Sequence, residues 1–329
     1  MIPIRVNSEK MKCGITVRPQ SCVRMYYKNA PCNACVELCP ENAVKVGLPG
    51  TKVLIDTSLC SSCEICVGAC PYGVFTLSGI NDYDRCMYLL DKEDRGEVSI
   101  SCNRDKKDNS ANIECLGALN AVLILFLFTS GVKRIKLNLM PCAECSYSEA
   151  MRQVQNRELG VTKRMLEHIS AGYTESAIGD ELFLEVKANV FAKSKVSSPV
   201  LSRRGFFKHL KTSMIRNLAA ITEIVESEPV KRVEIGSKRS INNRKHLANN
   251  VYDTMLTRSE GSINASGFPV GKISVNIKEC TFCRLCEKLC PTGAIAIDEQ
   301  NNFEHNVYQC VGCGICIKAC DRNCIYAEE

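Results

Sequence analysis

The sequence predicts an α+β protein in which two cysteine-rich modules, one near each end, flank a small α/β unit and a helical linker region. Three features of the 329 residues support this fold class. Cysteines occur in paired runs near both ends, a strand–helix–strand pattern follows the first pair, and helical periodicity follows that pattern. The predicted domains are residues 1–95, 96–150, 151–270 and 271–329.

Four cysteine runs of nearly one spacing form an internal repeat. The N-terminal pair is Cys32-x2-Cys35-x3-Cys39-Pro40 and Cys60-x2-Cys63-x2-Cys66-x3-Cys70-Pro71. The C-terminal pair is Cys280-x2-Cys283-x2-Cys286-x3-Cys290-Pro291 and Cys310-x2-Cys313-x2-Cys316-x3-Cys320. This spacing is typical of thiolates that ligate iron–sulfur cubanes. Zinc is the alternative, because it also uses Cys-x-x-Cys pairs.

The runs resemble the bacterial two-cluster 4Fe-4S ferredoxins, once at residues 22–75 and once at residues 280–320. In that family, three cysteines of one run share a cluster with the last cysteine of the other run. The resemblance implies two ferredoxin-like modules with four 4Fe-4S clusters. Three ligand sets are then complete: Cys60, Cys63, Cys66 with Cys39; Cys280, Cys283, Cys286 with Cys320; and Cys310, Cys313, Cys316 with Cys290.

The fourth set lacks one thiol and consists of Cys32, Cys35 and Cys70. The ferredoxin pattern asks for cysteine at position 29, where this chain has Asn29. We expect Cys22 to complete the set, because it is the nearest upstream thiol and a longer loop brings it to the vacant iron. A three-iron cluster, an open iron site and ligation by Cys13 are the alternatives.

The middle of the chain predicts a strand over residues 97–101, a helix over 116–130 and a second strand over 133–139. This order favours parallel strands. Loops at the carboxyl ends of strands are where α/β units place ligands. Four cysteines stand at these edges, and we predict a 2Fe-2S cluster, a 4Fe-4S cluster or zinc there, with ordinary thiols as the remaining alternative: Cys102, Cys115, Cys142 and Cys145.

Two short stretches of this middle unit carry a second resemblance. Cys115-Leu116-Gly117 and Cys142-Ala143-Glu144-Cys145-Ser146-Tyr147 are similar to the 2Fe-2S-binding delta subunit of methyl-viologen-reducing hydrogenases, partners of heterodisulfide reductase. That family usually has a wider final cysteine gap, so the cluster type stays open. The spare cysteines Cys13, Cys86 and Cys324 are expected to pack as small hydrophobic residues.

Helical periodicity covers residues 148–170 and 203–227, whereas residues 229–270 are poor in apolar side chains and predict a flexible or extended linker. Residues 187–250 hold 14 Lys or Arg against 4 Asp or Glu. Such a basic segment favours docking of an acidic redox partner, with a plain solvated linker as the alternative. The longest apolar run, residues 116–132, is too short to span a membrane.

Several function classes are not supported by the sequence. Glycine-rich loops for dinucleotides or nucleoside triphosphates are missing, and we expect no nucleic-acid binding. The first residues do not show the charged, apolar and cleavage regions of a signal peptide, so we expect no export by such a leader. The 23 cysteines, mostly in tight spacing, fit metal ligation in a reducing cytoplasm.

We therefore expect a cytoplasmic electron-transfer subunit of anaerobic metabolism. It would join a catalytic flavin- or metal-containing oxidoreductase subunit to a soluble ferredoxin or similar acidic carrier. The alternatives are an oxidoreductase with its own substrate-binding cluster and a redox-sensing scaffold.

Overall fold

The computed structural model describes residues 14–25, 27, 29–30, 32–47, 53–104, 110–187, 243–258, 273–306, 310 and 312–327. These residues belong to one compact unit, which joins Met1–Ala192 to Arg239–Glu329. The second unit, Lys193–Lys238, lies outside the described residues. The helix predicted over residues 203–227 and the spare Cys13 also lie outside them.

The N-terminal module contains two antiparallel strand pairs and two short helices. Its elements are β1 (Ile15–Val17), α1 (Ala34–Glu37), β2 (Val44–Val46), β3 (Val53–Ile55), α2 (Ile65–Ala69) and β4 (Phe75–Leu77). β1 pairs with β4, and β2 pairs with β3. Left-handed backbone at Ser62 and Glu64, with φ of 58° and 64°, turns the chain sharply before α2.

A five-stranded sheet with covering helices fills the middle of the chain. Its elements are α3 (Asp82–Asp91), β5 (Glu97–Cys102), β6 (Ala111–Ile113), α4 (Ala121–Thr129), β7 (Arg134–Asn138), α5 (Ser148–His168), β8 (Thr174–Ile178) and β9 (Glu181–Glu185). The strand order is β6-β5-β7-β9-β8. β5 is parallel to β6 and β7, while β9 is antiparallel to β7 and β8. The sheet therefore continues well past residue 150.

The helix predicted over residues 116–130 is divided in two. A 3-10 turn covers Leu116–Ala118, and α4 begins only at Ala121. Asn120 causes the restart, because its side-chain oxygen accepts the backbone N–H of Leu123 at 3.1 Å and caps the helix. α4 is buried on nearly all sides, as expected for a central core helix.

Residues 243–258 form a helix, α6 (Asn243–Arg258), so the linker predicted there is wrong for this stretch. Leu247, Val251 and Met255 recur every four residues and are buried in the same core as α4. α6 packs against α3 and α4. Among the described helices, none has the length and apolar character needed to cross a membrane.

The C-terminal module repeats the plan of the N-terminal module. Its elements are β10 (Ile273–Val275), α7 (Leu285–Leu289), β11 (Ile295–Ile297), β12 (Phe303–His305), α8 (Ile315–Lys318) and β13 (Ile325–Ala327). β10 pairs with β13 and β11 with β12, both antiparallel. Phe282 and Arg284 adopt the same left-handed backbone before α7 that Ser62 and Glu64 adopt before α2, with φ of 52° and 60°.

Candidate metal centres

The first set of thiols surrounds the start of α2. We name it the Cys66 group, and it consists of Cys39, Cys60, Cys63 and Cys66. Burial raises the pKa of Cys66 most, and the other three thiols of the group raise it further, so all four lie within electrostatic reach. Backbone N–H groups point at the sulfurs, since Ser62 donates to Cys60 Sγ at 3.4 Å and Ala43 donates to Cys39 Sγ at 3.3 Å.

The second set is the Cys70 group and consists of Cys22, Cys32, Cys35 and Cys70. Burial raises the pKa of Cys35 to about 12, and the other three thiols of the group also raise it. Cys22 follows the 3-10 turn Pro19–Ser21 and is 8 % exposed. Asn29, by contrast, is exposed to solvent. Cys22 therefore lies within electrostatic reach of the incomplete set.

The third set is the Cys316 group and consists of Cys290, Cys310, Cys313 and Cys316. Burial, followed by the other three thiols, raises the pKa of Cys316 to about 12. Ala294 donates its backbone N–H to Cys290 Sγ at 3.2 Å, and Gly312 donates to Cys310 Sγ at 3.4 Å. These N–H···S contacts repeat those of the Cys66 group at matching positions of the run.

The fourth set is the Cys286 group and consists of Cys280, Cys283, Cys286 and Cys320. Burial raises the pKa of Cys286 to about 11, with Cys280 and Cys283 contributing. Cys320 is connected through Cys324, whose Sγ lies 3.4 Å from Cys320 Sγ. After burial, both Cys320 and Cys280 raise the pKa of Cys324 to about 12.

Cys324 was expected to be a spare cysteine, and the structure places it against the Cys286 group. Its position in the run explains this, because it stands four residues after Cys320, as Ala43 follows Cys39 and Ala294 follows Cys290. Comparing the four runs position by position would have found it. Cys86 fits the expectation, since it is fully buried in the core with α3 and α4.

The central group consists of Cys102, Cys115, Cys142 and Cys145, which line a cavity of about 380 Å³ at the carboxyl ends of β5, β6 and β7. Burial raises the pKa of Cys142 to about 11, and Cys102 and Cys145 raise it further. Gly117 donates its backbone N–H to Cys115 Sγ at 3.4 Å. The first cysteine of each complete run accepts the same kind of contact, from the backbone N–H of the residue two positions later.

Neighbouring groups adjoin one another. Cys63 of the Cys66 group lines the central cavity. The close approach needs glycine, because a Cβ on Gly68 of α2 would lie 2.0 Å from the Gly117 carbonyl oxygen. Cys66 in turn interacts with Cys35 of the Cys70 group.

The two modules also meet. Tyr72 is 7 % exposed; burial raises its pKa, and Cys32 and Cys313 from the two modules raise it further. Ile315 of α8 is fully buried and belongs to the hydrophobic core of the N-terminal module. The order of neighbours is therefore central group, Cys66 group, Cys70 group and Cys316 group.

The donor chemistry of these groups fits iron–sulfur clusters, which take polarisable thiolate ligands. Within the described residues, His, Cys, Asp and Glu side chains do not converge in threes to hold a single metal ion. N–H donors aimed at sulfur favour the thiolate form that ligation requires. The thiols of the Cys66, Cys70 and Cys316 groups lie within electrostatic reach of one another, and those of the central group line one cavity.

Comparison with known families identifies both ends of the chain. Residues 30–74 and residues 272–321 each match a family described as a 4Fe-4S dicluster domain. These stretches include every cysteine of the four runs but neither Cys22 nor the central group. The protein thus carries a 4Fe-4S ferredoxin domain near each end, which supports up to four 4Fe-4S clusters and a role in electron transfer. Searches of curated proteins and of solved structures found no match.

Proposed function

We propose that this protein is a relay subunit, passing electrons between a catalytic flavin- or metal-containing oxidoreductase subunit and a soluble ferredoxin or similar acidic carrier. A 4Fe-4S cluster supplies a one-electron carrier whose potential follows burial, charge and hydrogen bonds to sulfur. The observation that carries the proposal is the unbroken order of neighbouring thiol groups, from the central group to the Cys316 group.

The ligand assignment follows the same groups. The Cys66, Cys70, Cys316 and Cys286 groups would each hold one 4Fe-4S cluster, with Cys22 as the fourth ligand of the Cys70 group. The central group would hold a fifth cluster, of the 2Fe-2S or 4Fe-4S type. Its support is the convergence of four thiols on one cavity and the N–H of Gly117 aimed at Cys115.

The residues between the thiol groups hold the groups close together and exclude water from between them. Gly68 and Gly117 allow α2 to touch the 3-10 turn beside the central group. Tyr72 and Ile315 are buried where the two modules meet. Burial at these positions excludes water and fixes the spacing of the thiols, which is what a relay requires of its protein.

We assign docking of the partner to the positive charge of the basic segment. The basic segment over residues 187–250 would attract an acidic carrier, since opposite charge raises the rate of encounter. Most of this segment lies outside the described residues, and its charge follows from its 14 Lys or Arg against 4 Asp or Glu.

Metal analysis and EPR spectroscopy of the anaerobically prepared chain test the proposal. We expect about 16 to 20 iron atoms per chain, the upper value including the central group. Full reduction should give spectra broadened by interaction between neighbouring paramagnets. The matched variant Cys290→Ser should lose about four iron atoms and sharpen the signal of the Cys70 group. About eight iron atoms, or sharp isolated signals in the unsubstituted chain, would contradict the proposed order.

Anaerobic affinity purification tests the relay itself. We expect the chain to elute with a flavin- or metal-containing oxidoreductase. Elution without any redox partner would count against a subunit role. The alternative of an enzyme with an open iron site rested on the missing thiol at Asn29, and Cys22 beside Cys70 weakens it.

A further inference from the structure

Arg244, in the first turn of α6, is a buried cation beside the Cys70 group. The residue is 4 % exposed. Its Nε and Nη2 donate to the two carboxylate oxygens of Asp82 at 2.6 and 3.0 Å, a bidentate pair. Its Nη1 donates to the carbonyl of Val67 at 3.0 Å and to the carbonyl of Cys70 itself. One side chain thus joins α6, α3 and the end of α2.

Both partners of this ion pair are charged. Burial opposes ionisation of each, but the attraction of Arg244 lowers the pKa of Asp82 below its usual value. The Asp82 carboxylate likewise raises the pKa of Arg244, so the guanidinium stays protonated. A fixed positive charge therefore exists inside the protein.

The ion pair is oriented toward the thiols. The Nη1 of Arg244 donates to the Cys70 carbonyl, while the Asp82 carboxylate binds the guanidinium through Nε and Nη2. The positive end of the pair faces the Cys70 group. A charge this deeply buried is weakly screened, so its effect on a nearby centre exceeds that of a surface charge.

Arg157 of α5 donates to the carbonyls of Gly68 and Ala69 at 3.2 and 2.8 Å, and so adds a second cation at the same end of α2. Arg157 is paired with Glu158 and is more exposed than Arg244. Stability alone gives little reason for the Arg244–Asp82 pair, because apolar residues of similar volume often stabilise a core equally well.

We propose that Arg244, anchored by Asp82, raises the reduction potential of the cluster held by the Cys70 group, and that α6 thereby sets the potential of the N-terminal module. Reduction adds negative charge, which a fixed cation stabilises. Arg244 is a positioning and tuning residue, not a ligand. The inference depends on cluster loading in the proposed function.

The test is an EPR-monitored redox titration of three full-length chains. Asp82→Asn can keep one of the two hydrogen bonds, through its amide oxygen, and removes the counter-charge, so the midpoint potential of the Cys70 group should rise. Asp82→Asn with Arg244→Gln removes both charges and should bring the midpoint below that of Asp82→Asn and of the unsubstituted chain. Lys163→Gln, at a side chain 57 % exposed on α5, is the control for loss of one cation and should leave every midpoint unchanged.

Opposite shifts in the two variants separate an electrostatic role from a structural one, because loosened packing would not change sign. Equal midpoints in Asp82→Asn and the double variant would overturn the inference. If the double variant fails to load iron, the single variant Asp82→Asn decides the test. An unchanged or lowered midpoint potential in Asp82→Asn then refutes the inference. Arg244→Lys should keep the potential while losing stability. Failure of the proposed function is distinguishable, because it shows as missing iron in the unsubstituted chain.

Discussion

Replacing Cys22 by serine tests the assignment that the ferredoxin pattern does not provide. Serine preserves the volume and the backbone contacts of Cys22, whose N–H donates to the Pro19 carbonyl at 2.9 Å and whose carbonyl accepts from Met25 at 3.0 Å. The hydroxyl is a poor ligand for iron in a sulfur cluster. The fold should therefore survive while the Cys70 group loses its fourth donor.

The size of the effect follows from the group. Loss of the whole cluster removes about four iron atoms per chain, and a three-iron remnant held by the other thiols removes about one. Burial of an unpaired hydroxyl adds a stability cost of about 1 to 3 kcal/mol. Iron and sulfide analysis with EPR after anaerobic purification measures the loss of iron, and urea unfolding measures the loss of stability.

Two control variants sharpen this result. Cys86→Ala removes a fully buried sulfur that no thiol group uses, so iron content should stay constant while stability falls. Adding Asn29→Cys to Cys22→Ser should not restore the iron, because position 29 is exposed. Unchanged iron and spectra in Cys22→Ser, or full rescue by Asn29→Cys, would refute the reasoning.

Three further predictions concern other cysteines of the thiol groups. Cys320→Ser should retain its iron because Cys324 Sγ lies 3.4 Å away and can replace the ligand, whereas adding Cys324→Ala should remove about four iron atoms; iron analysis of the pair decides. Cys142→Ser should remove about two to four iron atoms from the central group and leave the four other signals, and zinc loss by elemental analysis would contradict this. In the iron-free chain, burial raises the pKa of the Cys35 thiol from 9.0 to about 12. Because the folded state then holds the proton more tightly than the unfolded state, the free energy of unfolding keeps its full value below pH 9 and falls as pH approaches 12. Urea midpoints should fall over that range in the iron-free chain, and a rise would contradict the sign.

The thiol groups were predictable because their geometry is local. Cys-x-x-Cys loops fix the thiols through a few left-handed residues such as Ser62 and Phe282. The family resemblance, and not the spacing, implied that the last cysteine of each run ligates the cluster of the other run. The contact between the two modules at Tyr72 and Ile315 could not be predicted from the cysteine spacing, because it depends on how segments distant in sequence pack together.

The helix α6 shows the limit of composition as a guide. Residues 229–270 look like a linker on average, yet Leu247, Val251 and Met255 repeat every four residues and bury one face. That spacing was readable from the sequence. The position of Arg244 was not, because a cation at a helix start usually lies in solvent, and here Asp82 and two carbonyls from distant segments pair with it.

The two modules share one cysteine spacing but differ in their surroundings. All five residues of α2 are buried, and two arginines bind its last carbonyls. In the equivalent helix α7, Leu285 is 37 % exposed, and Cys283 just before it is the exposed one among the described cysteines. Since burial and charge set potential while exposure sets access, the N-terminal module suits control of potential and the C-terminal module suits exchange with a partner. The relay that we propose needs both functions, and one ligand pattern placed in two environments would provide them.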